Sequence, residues 1–322
     1  MPTEVTVITT YKRDPLLYVT LRRLRKVYDG PVVVFSDRGY DSADLRKCVS
    51  DWHADRVIRE KHDRHGNTVN ASEALKWAYR SRFELTHYLE DDSLVGPHWR
   101  DWTLKVHESD RIFCSAGWVC TREFPYADFT YFAPWIYIPQ FSIKRDKLAE
   151  IVRHLKPEYY DDMRGYIQKT FPNTPLNKMT ATAINHYEID GLIQHILMEN
   201  QGCQVAWNSM PTVMHLGFGG YNRGGYENFD QFFFDCGTFE EKVAKVETLA
   251  DDPYWRAQLF GRQLVECESG SLPKRSFRYH ISLPGGWESE MISELEMTTL
   301  PPVLNSVRVG PSAKIALVHR ST

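Results

Sequence analysis

Three acidic residues in a row, Glu90, Asp91 and Asp92, follow the mostly apolar stretch His87-Tyr88-Leu89. Adjacent carboxylates repel one another, so such a run at a strand end is costly unless a cation or a hydrogen-bonding ribose sits against it. Hard divalent ions such as Mg2+ or Mn2+ take carboxylate oxygens together with those of a diphosphate, and need only one or two protein ligands. A plainer reading has the acids capping a helix that begins near Pro97, a role that suits Asp and Ser. Two more residues with usable chemistry stand behind β-branched runs: Arg13 after Val5-Thr6-Val7-Ile8-Thr9-Thr10, and Asp37 after Val32-Val33-Val34-Phe35-Ser36. Arg13 offers a bidentate contact to a phosphate or a nucleobase carbonyl. Asp37, Glu90 and Asp91 offer acceptors for an imide N–H or for ribose hydroxyls. The competing readings are a solvated loop charge at Arg13 and a turn cap at Asp37.

The elements that must position these groups follow from periodicity. Val5 to Thr10 reads as a strand, and Tyr18 to Val27 has helical spacing with Arg22, Arg23, Arg25 and Lys26 outward. Pro31 to Asp37 is a second strand, with Ser42 or Asp44 as the cap of a short helix after it. Val57-Ile58 is a short third strand. Asn70 to Phe83, with Ala71, Ala74, Leu75, Ala78 and Tyr79 on one stripe, is a helix leading into a strand over Leu85 to Leu89. Strands alternating with helices predict an α/β fold, a doubly wound and mostly parallel sheet with helices on both faces. Ligands of such sheets bind outside the carboxyl ends of the strands, which brings Arg13, Asp37 and the acidic triplet to one crevice.

Composition narrows the class. With 322 residues, 42% hydrophobic and 25% charged, the chain can bury a full core as an ordinary globular protein. A net charge of -3 excludes a uniformly basic nucleic-acid binder but leaves room for a local basic groove. The first residues lack the basic start and apolar core of a signal peptide, and no apolar run reaches the length of a membrane span; both point to a cytoplasmic protein. Cys48, Cys114, Cys120, Cys203, Cys236 and Cys267 form no CxxC pair and no Cys/His ligand spacing, so they read as reduced thiols without structural zinc.

Taken in order, these motifs resemble the GT-A fold nucleotide-sugar glycosyltransferases, in particular the N-acetylglucosaminyltransferases that extend N-glycans and O-mannosyl glycans. The family's Glu-Asp-Asp metal motif is matched by Tyr88-Leu89-Glu90-Asp91-Asp92-Ser93-Leu94-Val95-Gly96-Pro97, its first loop by Tyr11-Lys12-Arg13-Asp14-Pro15, and its second strand end by Phe35-Ser36-Asp37. Glu188-Ile189-Asp190-Gly191 stands where the family's catalytic acid opens a helix, and Thr212 to Gly220 stands at its Thr-x-x-Phe-Gly loop. The likeness spans residues 4 to 235. It implies that Asp92 holds Mn2+ or Mg2+ against the donor diphosphate. It also implies that Asp190 is the catalytic base, with Glu188 kept as a candidate because Ile189 replaces the first acid of the family's pair. His215 is similar to the C-terminal metal-ligand histidine of other GT-A enzymes. Without the resemblance, Glu188 and Asp190 are acids favoured by a helix macrodipole, and His215 is a hydrogen-bonded histidine at a strand end.

Residues 217–226, with two tyrosines and five glycines around Arg223, read as a lid whose Arg223 closes on the diphosphate. Phe124 to Phe141 is dense in aromatic residues and suits acceptor binding, a looped core segment or a subunit contact. Residues 1–240 are expected to form the GT-A nucleotide-sugar-binding and catalytic domain, and 241–322 a helical segment with a small appended element. The chain as a whole reads as a metal-dependent, inverting glycosyltransferase of hexosyl or N-acetylhexosaminyl type, using a UDP-sugar donor. Its acceptor is a cytosolic glycan intermediate or a hydroxymethylated base of phage DNA; the DNA reading recruits Arg22, Arg23, Arg25 and Lys26. The alternatives are a catalytically inactive glycan- or protein-binding module and a nucleotidyltransferase, whose glycine-rich first loop is missing from Thr9-Thr10-Tyr11-Lys12-Arg13.

Overall fold

The computed structural model describes residues 3–59, 66–117, 130–133, 140–174, 188–200, 204–208, 212–215 and 237–251, together with four two-residue strands beyond residue 281. The amino-terminal half alternates β1 (Glu4–Thr10), α1 (Asp14–Leu24), β2 (Val32–Ser36), α2 (Ala43–Asp51), β3 (Asp55–Ile58), α3 (Asn67–Arg80) and β4 (Leu85–Glu90). β5 (Ser93–Val95), α4 (Trp99–Val106), β6 (Ile112–Ala116), β7 (Thr130–Ala133), β8 (Gln140–Lys144) and α5 (Arg145–Val152) follow. Next come α6 (Pro157–Asp161), α7 (Met163–Thr170), α8 (Ile189–Glu199), β9 (Gln204–Asn208), β10 (Val213–His215) and α9 (Phe239–Asp251).

Eight strands form one sheet in the order β3-β2-β1-β4-β8-β6-β9-β7. β3, β2, β1, β4, β6 and β9 run one way, while β8 and β7 run the other. The chain moves outward from β1 to β3, then returns through α3 to place β4 on the other side of β1. The switch point therefore lies between β1 and β4, where Arg13 follows one strand and Glu90 ends the other. Strand alternation divides the core: Val5, Val7, Val33, Phe35 and Tyr88 pack against α3, α5 and α8, while Ile8, Val32, Val34 and Leu89 pack against α1, α2 and α4. The doubly wound, mostly parallel α/β sheet expected from the sequence is the one observed.

Several boundaries differ from the periodicity reading, each for a local reason. α1 begins at Asp14 instead of Tyr18, because Pro15 has its φ preset for a first helical turn and Asp14 adds an acid there. α3 begins at Asn67 instead of Asn70, since Gly66 adopts φ 113° and ψ 173° and turns the chain into the helix. The acids do not cap α4: His98 precedes that helix, and β5 intervenes. Ser42 does cap α2, its hydroxyl accepting from Leu45 N at 2.8 Å.

The division drawn at residue 240 runs through α9, which packs on α1 through the Tyr18 and Phe239 rings, 5.4 Å apart, and an Arg22–Glu247 ion pair. Cys48 and Cys114 are buried free thiols, pushed up in pKa by burial. No helix among the described residues is long and apolar enough to cross a membrane.

Candidate metal and substrate site

The end of β4 splits the acidic triplet. In the turn after Glu90, Asp91 meets α1 through Thr20, while Asp92 gathers with Glu90 and His215. Asp91 is buried and fully engaged: Thr10 Oγ1 donates to it at 2.7 Å, Arg13 Nε at 3.2 Å, and a second Arg13 nitrogen pairs with its other oxygen. Its carbonyl accepts from Thr20 Oγ1 at 2.7 Å. Burial raises the Asp91 carboxyl to about 7, with Arg13 opposing and Asp92 adding to the rise. Asp91 and Arg13, both expected to meet the donor nucleotide, are thus partners of one another.

Asp92 stands between two cations. Its Oδ2 accepts from Arg13 Nη1 at 2.9 Å, and its Oδ1 lies 3.1 Å from His215 Nε2. Burial disfavours its charge, yet His215 and Arg13 outweigh that and hold it below the usual carboxylate range. His215 arrives through β10, which pairs antiparallel with β5 and sets His215 opposite Ser93. Burial opposes its protonation, but Asp92 and Glu90 push it up to about 10. Glu90 Oε2 is 3.8 Å from the same nitrogen, and its Oε1 accepts from Asn67 Nδ2 at 2.7 Å.

Glu90, Asp92 and His215 each present one donor atom, all within 4.8 Å of one another. Two carboxylate oxygens and an imidazole nitrogen suit Mn2+, with the oxygens alone also acceptable to Mg2+. The residues present therefore fit the divalent ion that the sequence motif implies. Asp92 and His215 were expected as ligands. Glu90, assigned from the sequence to the nucleotide, joins them; its spacing of two residues from Asp92 at a strand end was the available signal.

No protein-family model matches the chain, and no curated protein matches it. Among solved structures, glucosyl-3-phosphoglycerate synthase from Mycobacterium tuberculosis is similar in two complexes. With Mn2+, UDP and glucosyl-3-phosphoglycerate the identity is 12% and the TM-score 0.32, covering 45% of this chain and 57% of that one. With Mn2+, UDP and phosphoglyceric acid the figures are 12%, 0.33, 45% and 56%. The chain spans little more than half the length of that enzyme. A likeness this distant carries nothing about the site, which stands on its own geometry.

Of the remaining expected residues, Asp37 lies at the end of β2, and Glu188 and Asp190 lie at the start of α8. Asp37, buried at the end of β2, accepts from Arg38 N at 2.9 Å, from Gly66 N at 3.0 Å and from the Arg59 guanidinium. Most of its lone pairs are engaged within the protein. Glu188 precedes α8 in extended backbone and does not cap it; its side chain bonds Thr68 instead. Burial raises its carboxyl, with Thr68 pulling the other way. Asp190 lies in the first turn of α8, near enough to Tyr88 of β4 and Tyr159 of α6 for its charge to act on both rings. Arg223 and the proposed lid at 217–226 lie outside the described residues, as does most of the aromatic stretch at 124–141.

Proposed function

We propose that this chain is a metal-dependent glycosyltransferase that moves a sugar from a UDP-sugar to an acceptor hydroxyl with inversion. The reading is carried by the convergence of Glu90, Asp92 and His215 at the carboxyl end of the central strands, beside the switch point where doubly wound sheets bind ligands. The cation held there supplies charge neutralisation for a leaving diphosphate. Arg13, held by Asp91 and Asp92, stands beside the same carboxylates and is the candidate for contact with the diphosphate. Arg223 is the candidate from the 217–226 segment to close on the diphosphate.

On the acceptor side, a carboxylate must take the proton of the attacking hydroxyl while the anomeric carbon is approached opposite the leaving group. Asp190 and Glu188 at the start of α8 are the candidates, with Asp190 as the base and Glu188 tethered to α3 beside it. A glycan hydroxyl fits this surface better than DNA. Arg22 and Arg23 pair with Glu247, and the Arg25 guanidinium donates to the carbonyls of Trp52, Tyr28, Gly30 and His53, so three of the four basic residues at the end of α1 and just beyond it are engaged internally.

The test is UDP release from a panel of UDP-sugars with Mn2+, with Mg2+ and with chelator. Release that needs the metal and rises with an added glycan acceptor supports the reading. Absence of both UDP–Mn2+ binding by calorimetry and UDP release across the panel would sink it and leave a binding module.

A further inference from the structure

Three carboxylates from three different elements meet the amino end of one helix. Gly66 N donates to Asp37 at the end of β2, Asn67 Nδ2 donates to Glu90 at the end of β4, and Thr68 bonds Glu188 ahead of α8. These three partners are consecutive residues. The residue before α3 provides no side-chain cap, so the acids gather where the helix presents its unpaired N–H groups and positive dipole end. Gly66 makes the arrangement possible with its φ of 113°, and a Cβ there would meet nothing within 4 Å, so the constraint is in the backbone alone.

Within this hub we infer that Asn67 is a positioning residue for the metal centre, holding one oxygen of Glu90 so that the other faces Asp92 and His215. The inference rests on the cation-binding reading of that cluster. Glu90 has several rotatable bonds and stands beside the negative Asp92, so an untethered side chain would swing toward solvent and take its donor atom out of the group. The contact has one chemically allowed sense: an ionised carboxylate only accepts, so Asn67 must present its NH2 group. The two Glu90 oxygens are divided accordingly, Oε1 at 2.7 Å from Asn67 Nδ2 and Oε2 at 3.8 Å from His215 Nε2. Asn67 is itself exposed, so removing its amide leaves no cavity in the core.

Mn2+ binding to the purified full chain, followed by the loss of the free-ion EPR signal, tests this without reference to turnover. Asn67→Ala is expected to weaken Mn2+ binding by about 10–100-fold, the usual effect of removing a partner that orients a ligand, with the metal-free melting temperature unchanged. Thr68→Val, which removes the bond to Glu188 but not that to Glu90, is expected to bind Mn2+ as the native chain does. Equal Mn2+ affinity in Asn67→Ala and the native chain overturns the positioning role while the metal site stands. Equal weakening in both variants also overturns it, since the cause would then be a loosened helix end. Failure of the native chain to bind Mn2+ removes the metal reading and this inference together.

Discussion

At the scale of single residues, the acidic triplet has three different fates set by its neighbours. Asp91 is enclosed by Thr10, Arg13 and Thr20, Asp92 is shared between Arg13 and His215, and Glu90 is divided between Asn67 and His215. Asp92→Asn should therefore do two things. It should weaken Mn2+ binding by about 100-fold or more, because an amide is a poor ligand for a hard cation. It should also destabilise the metal-free protein by about 1–3 kcal/mol, because Arg13 and His215 lose their charged partner. Calorimetric Mn2+ titration and urea unfolding read the two effects, and native-like affinity would remove Asp92 from the ligand set. For the base, Asp190→Asn should lower kcat by about 10²–10⁴-fold with little change in donor affinity. If Glu188→Gln gives that loss and Asp190→Asn does not, the role passes to Glu188.

At the scale of elements, two features build the site: the amino end of α3 and the small β5/β10 pair. The first depends on a backbone conformation that glycine alone adopts freely. Gly66→Ala places a side chain at φ 113° and ψ 173° with open space around it, so its cost is strain without steric clash. We expect a loss of about 1–3 kcal/mol in urea unfolding, the range for a non-glycine residue held in a disallowed region. A midpoint equal to that of the native chain would mean that the helix end relaxes freely and organises nothing. The β5/β10 pair matters because its register alone sets His215 opposite Ser93, one residue beyond Asp92.

Across the whole molecule, a buried polar row crosses the sheet. Glu4 on β1 meets His87 on β4 at 3.1 Å, His87 meets the Ser142 hydroxyl on β8 at 2.8 Å, and His107 Nε2 lies 3.1 Å from both the Ser142 carbonyl and the Ser115 hydroxyl on β6. Burial keeps the His87 ring below its usual pKa and takes that of His107 down to about 3. Burial alone would raise Glu4, but His87 and Arg100 hold it at about 2. Both kinds of group act in the same direction on stability. The unfolded histidines take up protons below about pH 6.5 when the folded ones do not, and unfolded Glu4 does so below about pH 4.5, so the contribution of this row is full above that range and falls with pH through it, whereas Asp91, raised to about 7, and His215, raised to about 10, act in the opposite sense. The difference in urea midpoint between the native chain and a His107→Gln variant, measured from pH 7.5 down to pH 3, should decline from about pH 6.5 onward. A flat profile to pH 4 would show that the row opens to solvent in the folded protein.

The strand and helix alternation and the carboxyl-end placement of Arg13, Asp37 and Glu90 followed from local pattern, and the candidacy of Asp92 and His215 from the family resemblance. Side-chain period and turn chemistry are written in contiguous residues, and the α/β winding is their direct consequence. Helix starts were missed by up to a turn where a proline or a positive-φ glycine moved them. Three things were settled only by tertiary structure: the pairing of Arg13 with Asp91 and Asp92, the engagement of Asp37 by Arg59 and Gly66, and the convergence of Glu90 with Asp92 and His215. Each joins residues more than 20 positions apart or chooses between two faces of a strand end. Residue type at a strand end says that an acid or a cation will be there; which of its neighbours neutralises it depends on how the elements pack.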